Sequence, residues 1–278
     1  MLQKNVLTGA LFMFGIAINS PVMLFGCVVA MLAGLFVAKL CQFDVDKVDS
    51  GLYGYNAALS GITVLYLLPL NFISFVLVIF AAALSTLLMH LALRKLPELS
   101  PFTMPFVVSS WLLFALVEFS SLVTLEQSTL VSVTTVTLLD YFQGALRGVA
   151  QIMLQDNWLT GVIFLFALLV QDYKVGLWAL AGSVLSIQLA SLFGFAEALI
   201  LLGLYGYNGC LVAIALSAIY PKKYGLILFA LVTSLLMMQL FIEFSLPALT
   251  APFVLSTWLA IVLNVSSAKR LKAAIIDD

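Results

Sequence analysis

The chain has 278 residues, of which 64% are hydrophobic and 9% charged, and its mean hydropathy is +1.18. A soluble domain carries roughly 25% charged residues, so this composition excludes water as the main solvent, and a net charge of -1 with no basic block excludes a nucleic-acid partner. Cys27, Cys41 and Cys210 form neither a disulfide framework nor a zinc pattern, and a single histidine, His90, excludes any relay of paired imidazoles.

Charge-free stretches run from Asn5 to Ala38, Ser50 to Leu93, Val175 to Ala196 and Phe244 to Ala268. About 20 apolar residues cross a bilayer, so the two longest stretches are hairpins of two spans. The first runs past the length of a cleavable leader's apolar core, and the N-terminus is expected to stay attached. Breaks at Asn19-Ser20-Pro21 and Leu68-Pro69 predict spans over 7–20, 21–40, 51–69, 71–93 and 103–123. Residues 124–142 read as an external linker. After it, residues 145–154 are too short to cross but apolar enough to dip in and return, as a re-entrant helix that must be buried in protein or line a cavity.

The rest of the chain repeats its beginning. Leu7-Thr8-Gly9 returns as Leu159-Thr160-Gly161, and Gly51-Leu52-Tyr53-Gly54-Tyr55-Asn56 as Gly203-Leu204-Tyr205-Gly206-Tyr207-Asn208, both at a shift of 152. Thr103-Met104-Pro105-Phe106 returns as Thr250-Ala251-Pro252-Phe253, at a shift of 147. Five spans per half is an odd number, so the second copy enters the membrane from the opposite side. The predicted fold is an all-α integral membrane protein of ten transmembrane helices in two inverted five-helix repeats, residues 1–123 and 143–278, with re-entrant pore helices. In this topology eleven of the twelve Lys and Arg residues fall on one face and only Arg147 on the other, which places both termini in the cytoplasm.

No pattern for hydrolysis or nucleotide binding is present, and an enzyme is not expected. Glu118, Glu197 and Glu243 fall near the external ends of their spans, which leaves a pathway for a neutral polar solute rather than a proton-coupled carrier. Thr103 and Thr250 each precede a Pro by two residues, as a helix N-cap does. Their helices start either in mid-membrane, with the hydroxyls facing each other across the pseudo-symmetry axis, or at the surface as ordinary caps. Tyr53, Tyr55, Tyr205 and Tyr207 read as interfacial belt residues or, because small residues flank them, as a flat aromatic wall.

In their order and duplication these blocks resemble the urea transporter family. The second half carries the fuller set: Gln151 in the re-entrant segment, Gln155 to Gly161, Gly203 to Asn208 and Leu246 to Phe253. The resemblance implies a homotrimer in the lipid bilayer with a passive pore in each subunit, urea as solute and no cofactor. Carried over by position, Gln151 sits at the pore mouth, Tyr207 and Leu154 form an aromatic slot, and Thr250 and Thr103 flank the constriction with Leu211 and Leu59. Tyr55 and Leu2 form the slot of the first half. Position 154 and its partner at 2 are Leu where family members place Phe, so each slot is expected to be aromatic on one wall only. Tyr in place of Phe at 55 and 207 adds a hydroxyl that either assists binding or narrows the passage. Met1 to Asn5 align with Met153 to Asn157, so the first half shows no counterpart of Gln151; the start lies upstream, or one re-entrant helix is complete. Glu98 and Pro101 lengthen the first Pro-rich block. A channel for another small neutral solute, such as a short amide, ammonia or water, and an inactive structural subunit are the alternatives. The compact chain suggests a bacterial inner membrane.

Overall fold

The computed structural model describes residues 5–96, 99–120 and 136–276. Leu2, Glu98 and most of the expected linker lie outside that set. The described residues form helices and no strand: α1 (Val6–Asn19), α2 (Pro21–Leu40), α3 (Val45–Asp49), α4 (Leu52–Leu67), α5 (Phe72–Lys95) and α6 (Met104–Ser120). Then follow α7 (Leu138–Ala150), a 3-10 turn (Gln151–Met153), α8 (Trp158–Gln171), α9 (Tyr173–Leu192), α10 (Glu197–Leu201), α11 (Gly206–Ile219), α12 (Tyr224–Glu243) and α13 (Ala251–Ile276).

Local chemistry sets most of these boundaries. The Asn5 side chain accepts from the Leu7 and Thr8 N–H groups at the start of α1, and Asn157 accepts from Leu159 at the start of α8. Ser20 caps α2 with Pro21 in its first turn, where no N–H is needed. Leu68 is extended, as a residue before proline prefers, and α4 stops there. The short helices α3 and α10 carry no apolar period long enough to announce them and were not expected. The linker also ends earlier than 142: a reciprocal capping box between Thr137 and Asp140 opens α7 at Leu138.

Helix length divides the molecule into two kinds of element. Four helices, α2, α5, α9 and α12, are long and apolar enough to cross a membrane. The pair formed by α7 with its 3-10 turn and α8, bent by 72°, passes the same test together, whereas α1, α6, α11 and the apolar part of α13 are shorter. A 14-residue helix such as α1 rises only about 21 Å, against a hydrocarbon core of about 30 Å.

The side chains are distributed as a bilayer solvent requires. On α2 the buried positions are small, Gly26, Ala30, Gly34 and Ala38, while Phe25, Leu32 and Phe36 are exposed. The small face lets α2 touch α4 backbone to backbone: a Cβ built on Gly61 would lie 2.3 Å from the Gly26 carbonyl oxygen. Only glycine fits there.

The two halves meet through matched residues. Phe12 stacks on Phe164, its equivalent in the repeat, with ring centroids 4.2 Å apart. The Thr8 hydroxyl donates to the Ala167 carbonyl at 3.2 Å and the Thr160 hydroxyl to the Gly15 carbonyl at 3.0 Å, so α1 and α8 run antiparallel. Trp111 donates its indole N–H to the Pro247 carbonyl, and Trp258 donates to Ser100, each at 2.8 Å. Reciprocal contacts of this kind are what a two-fold relation produces. The largest core cluster lies at this junction, with Phe12, Leu59 and Phe106 from one half and Phe164, Leu211 and Phe253 from the other.

Candidate functional site

A cavity of about 540 Å³ opens between the halves. Its second-half wall contains Gln151, Leu154, Leu204, Tyr207, Met238 and residues 245–250. The first half contributes Thr63, Tyr66 and Leu67 from α4 and Phe106, Phe114 and Glu118 from α6. Four of the expected site residues, Gln151, Leu154, Tyr207 and Thr250, are therefore brought together. Leu211 and Leu59 are fully buried in the core beneath, and Tyr55 is half-buried against the same core. The resemblance pointed to none of the first-half wall residues, because they reach this cavity only through the packing of α4 and α6 against the other half.

The bend after α7 positions Gln151 and Leu154. Gly161 of α8 lies so close to α7 that a Cβ there would meet the Leu146 carbonyl oxygen at 2.0 Å. Ser183 donates to the Ala145 carbonyl at 2.7 Å and Arg147 to the Leu201 carbonyl at 2.8 Å, fixing α7 on α9 and on the segment before α11. The Gln151 amide nitrogen lies 3.4 Å from the Leu202 carbonyl, a long bond that a better acceptor can displace. Leu154 ends the turn in the left-handed conformation, φ 55°, which points the next residues into the start of α8. Gln155, fully buried, accepts from Asn19 at 2.8 Å and donates to the Met153 carbonyl at 2.6 Å, and so ties the bend to the first half.

Thr103 and Thr250 do precede α6 and α13, but the helix caps come from elsewhere. The Phe106 N–H donates to the Asn56 side-chain oxygen, and the Phe253 N–H to that of Asn208, each at 3.1 Å. The same asparagines donate to the carbonyls of Phe102, at 3.1 Å, and Leu249, at 3.5 Å, the two left-handed residues just before the threonines. The threonine hydroxyls, relieved of capping, meet each other at 2.6 Å. Both residues are under 5% exposed, which removes the surface-cap alternative. Asn56 and Asn208 were legible as repeated residues, yet their role depends on a chain reversal some fifty residues away.

The tyrosines do not form an interfacial belt. Tyr53 and Tyr205 are buried, with hydroxyls on His90 Nδ1 at 3.3 Å and on Gln239 at 2.5 Å. His90 is a packed side chain, stacked on Phe43 at 3.7 Å between ring centroids. The Tyr207 hydroxyl donates to the Leu249 carbonyl at 2.5 Å. That bond fixes the ring in the cavity wall. Glu197 accepts from Tyr141 at 3.2 Å and Glu243 from Gln239 at 3.0 Å, while Glu118 stands in the cavity lining. Among the described residues no group of His, Cys, Asp or Glu is placed to hold a metal ion.

Chemically the cavity offers aromatic rings, the Gln151 amide, the hydroxyls of Thr63 and Thr250, the Glu118 carboxylate and backbone carbonyls. It suits binding and passage of a small polar molecule rather than its conversion. Comparison with known proteins gives the same direction. The family described as urea transporter matches residues 1–141 and again residues 142–275. The chain is similar to urea transporter 1 of Ovis aries, 30% identical over 95% of this chain and 74% of that protein. Urea transporter 1 of Rattus norvegicus and of Mus musculus are 28% and 29% identical over the same shares.

Proposed function

The chain belongs to the urea transporter family, and from that premise we propose that it passes urea down its gradient through a pore between two inverted repeats. It is an integral membrane transporter and not an enzyme. The observation that carries the pore's position is the Thr103–Thr250 hydroxyl pair where the cavity reaches the junction of the halves.

Urea is planar, with four N–H donors and one strong acceptor. A slot between Tyr207 and Leu154 grips its faces, Gln151 donates to its oxygen, and backbone carbonyls and threonine hydroxyls take its N–H groups in place of water. At the constriction the molecule parts the two hydroxyls, exchanging one short bond for bonds to itself. Leu59 and Leu211 beside them exclude water and keep charge out. Tyr55 and Thr103 serve the inner half of the path.

The antiparallel pairing of α1 with its equivalent α8, and the reciprocal Trp bonds, support the inverted arrangement. Ten membrane helices follow if α1, α4, α6, α8, α11 and α13 count beside the four long ones. The distribution of Lys and Arg supports cytoplasmic termini. A homotrimer with one pore per subunit is implied by the family resemblance. The bacterial inner membrane rests on the compact chain, the relatives named being mammalian.

Purified protein in liposomes, followed by stopped-flow light scattering under an inward urea gradient, tests the proposal. Re-swelling well above that of empty liposomes, and slowed in Gln151→Ala, supports it. Re-swelling no faster than empty liposomes would sink it and favour an inactive subunit.

A further inference from the structure

The cavity has a second chemical character at its rim. Glu118 is exposed and lies one helical turn beyond Phe114 on α6, so carboxylate and ring share a face. Tyr66 and Thr63, a turn apart on α4, belong to the same lining. Among the described residues the lining holds no Lys, Arg or His, and the one ion pair among them is Lys47 with Asp44, in the α3 region. Within the described lining no basic side chain compensates that carboxylate. A carboxylate beside aromatic faces is a receptor for a flat, weakly hydrated cation, which stacks on a ring while it donates in the plane.

We infer that the vestibule also binds a cation of the guanidinium class at Glu118, as a blocking ligand rather than a permeating one. The inference rests on the reading of the cavity as the mouth of the urea pore. Guanidinium has the planar trigonal shape and nearly the size of urea, so it enters wherever urea enters. It differs in having N–H donors at all three corners and no acceptor. It can donate to Glu118 and stack on Phe114 or Tyr66, but it cannot accept from Gln151 or from a threonine hydroxyl. Beyond the slot lie the Thr103–Thr250 pair and the buried side chains of Leu59, Leu211 and Phe253, with no carboxylate to replace the water a charge must shed. The cation stops at the rim and occupies the path.

Isothermal titration of the purified protein with guanidinium chloride, against sodium chloride at equal ionic strength, reads this binding without any flux. Saturable heat in the wild type and in Glu118→Asp, lost in Glu118→Gln, is the expected result. In liposomes with guanidinium on both sides, urea re-swelling falls about twofold or more at on the order of 100 mM, and Glu118→Gln, referred to its own uninhibited rate, escapes the block. Heat or inhibition equal to that of sodium chloride, or equal in Glu118→Gln, overturns the inference, and so does re-swelling under a guanidinium gradient as fast as under urea. Absence of urea flux in every sample, with Glu118-dependent heat retained, counts against the pore reading alone.

Discussion

The hydroxyl oxygens of Thr103 and Thr250 lie 2.6 Å apart, although 147 positions separate them in the chain. They occupy the same place in the two repeats, each just before a helix whose cap is supplied by another residue. The pair is therefore free to change partners, which a capping threonine is not.

Thr250→Val tests that freedom. The substitution keeps shape and leaves the Thr103 hydroxyl with one partner fewer, at a cost of about 1–2 kcal/mol in the passage of urea, or roughly a 5- to 30-fold slower flux. The thermal midpoint should also fall, because the Thr103 hydroxyl is left buried with one partner fewer. Stopped-flow scattering and a melting curve on the same sample separate the two effects.

Asn208 acts on structure rather than on solute. Its side chain holds the Phe253 N–H and the Leu249 carbonyl at once. Asn208→Ala orphans the Phe253 N–H in a buried site, while the Leu249 carbonyl keeps the Tyr207 hydroxyl, and is expected to cost about 1–3 kcal/mol of stability. Asn208→Asp keeps only the acceptor and should fall between. Detergent-solubilised protein monitored by size exclusion after heating reads the order.

Gly161 and Gly9 are equivalent in the repeat but not in space. A Cβ on Gly161 meets the Leu146 carbonyl oxygen at 2.0 Å, while one on Gly9 meets nothing within 4 Å among the described residues. Gly161→Ala must push α7 away and should abolish both stable folding and urea flux. Gly9→Ala should be tolerated or slightly stabilising, by up to about 1 kcal/mol, as alanine is the better helix former. Equal losses in the two variants would contradict the close docking of α7 on α8.

In the proposed slot, Leu154 leaves Tyr207 as the one aromatic wall. An aliphatic wall in a 540 Å³ cavity makes a poor sieve for a flat solute. Leu154→Phe should therefore sharpen selection, slowing N-methylurea relative to urea by several-fold, since one methyl group in an apolar pocket is worth about 1–3 kcal/mol. Parallel re-swelling rates for the two solutes measure the ratio.

What the sequence made legible follows from distance along the chain. The expected spans at 7–20 and 21–40 became helices at Val6–Asn19 and Pro21–Leu40 because Asn5, Ser20 and Pro21 act on their own neighbours. The grouping of Gln151, Leu154, Tyr207 and Thr250 was legible only through the family resemblance, since nothing local links position 151 to position 250. Legibility failed where a role depended on two distant segments meeting. Asn56 and Asn208 looked like parts of an aromatic block, and Thr103 and Thr250 looked like caps; packing exchanged their tasks. Phe114 and Glu118 could not be assigned to a cavity whose other wall is spread from Gln151 to Thr250.

Cross-linking the two threonine positions tests the pore most directly. Hydroxyls 2.6 Å apart are close enough for sulfurs to bond when both residues become cysteine. A Thr103→Cys, Thr250→Cys variant in liposomes, with each single variant beside it to account for Cys27, Cys41 and Cys210, is oxidised and then reduced while urea re-swelling is followed. A pore through this pair predicts flux near the empty-liposome rate after oxidation and recovery on reduction, in the double variant alone. Undiminished flux in protein whose 103–250 disulfide is verified by mass spectrometry would contradict a path between the two threonines.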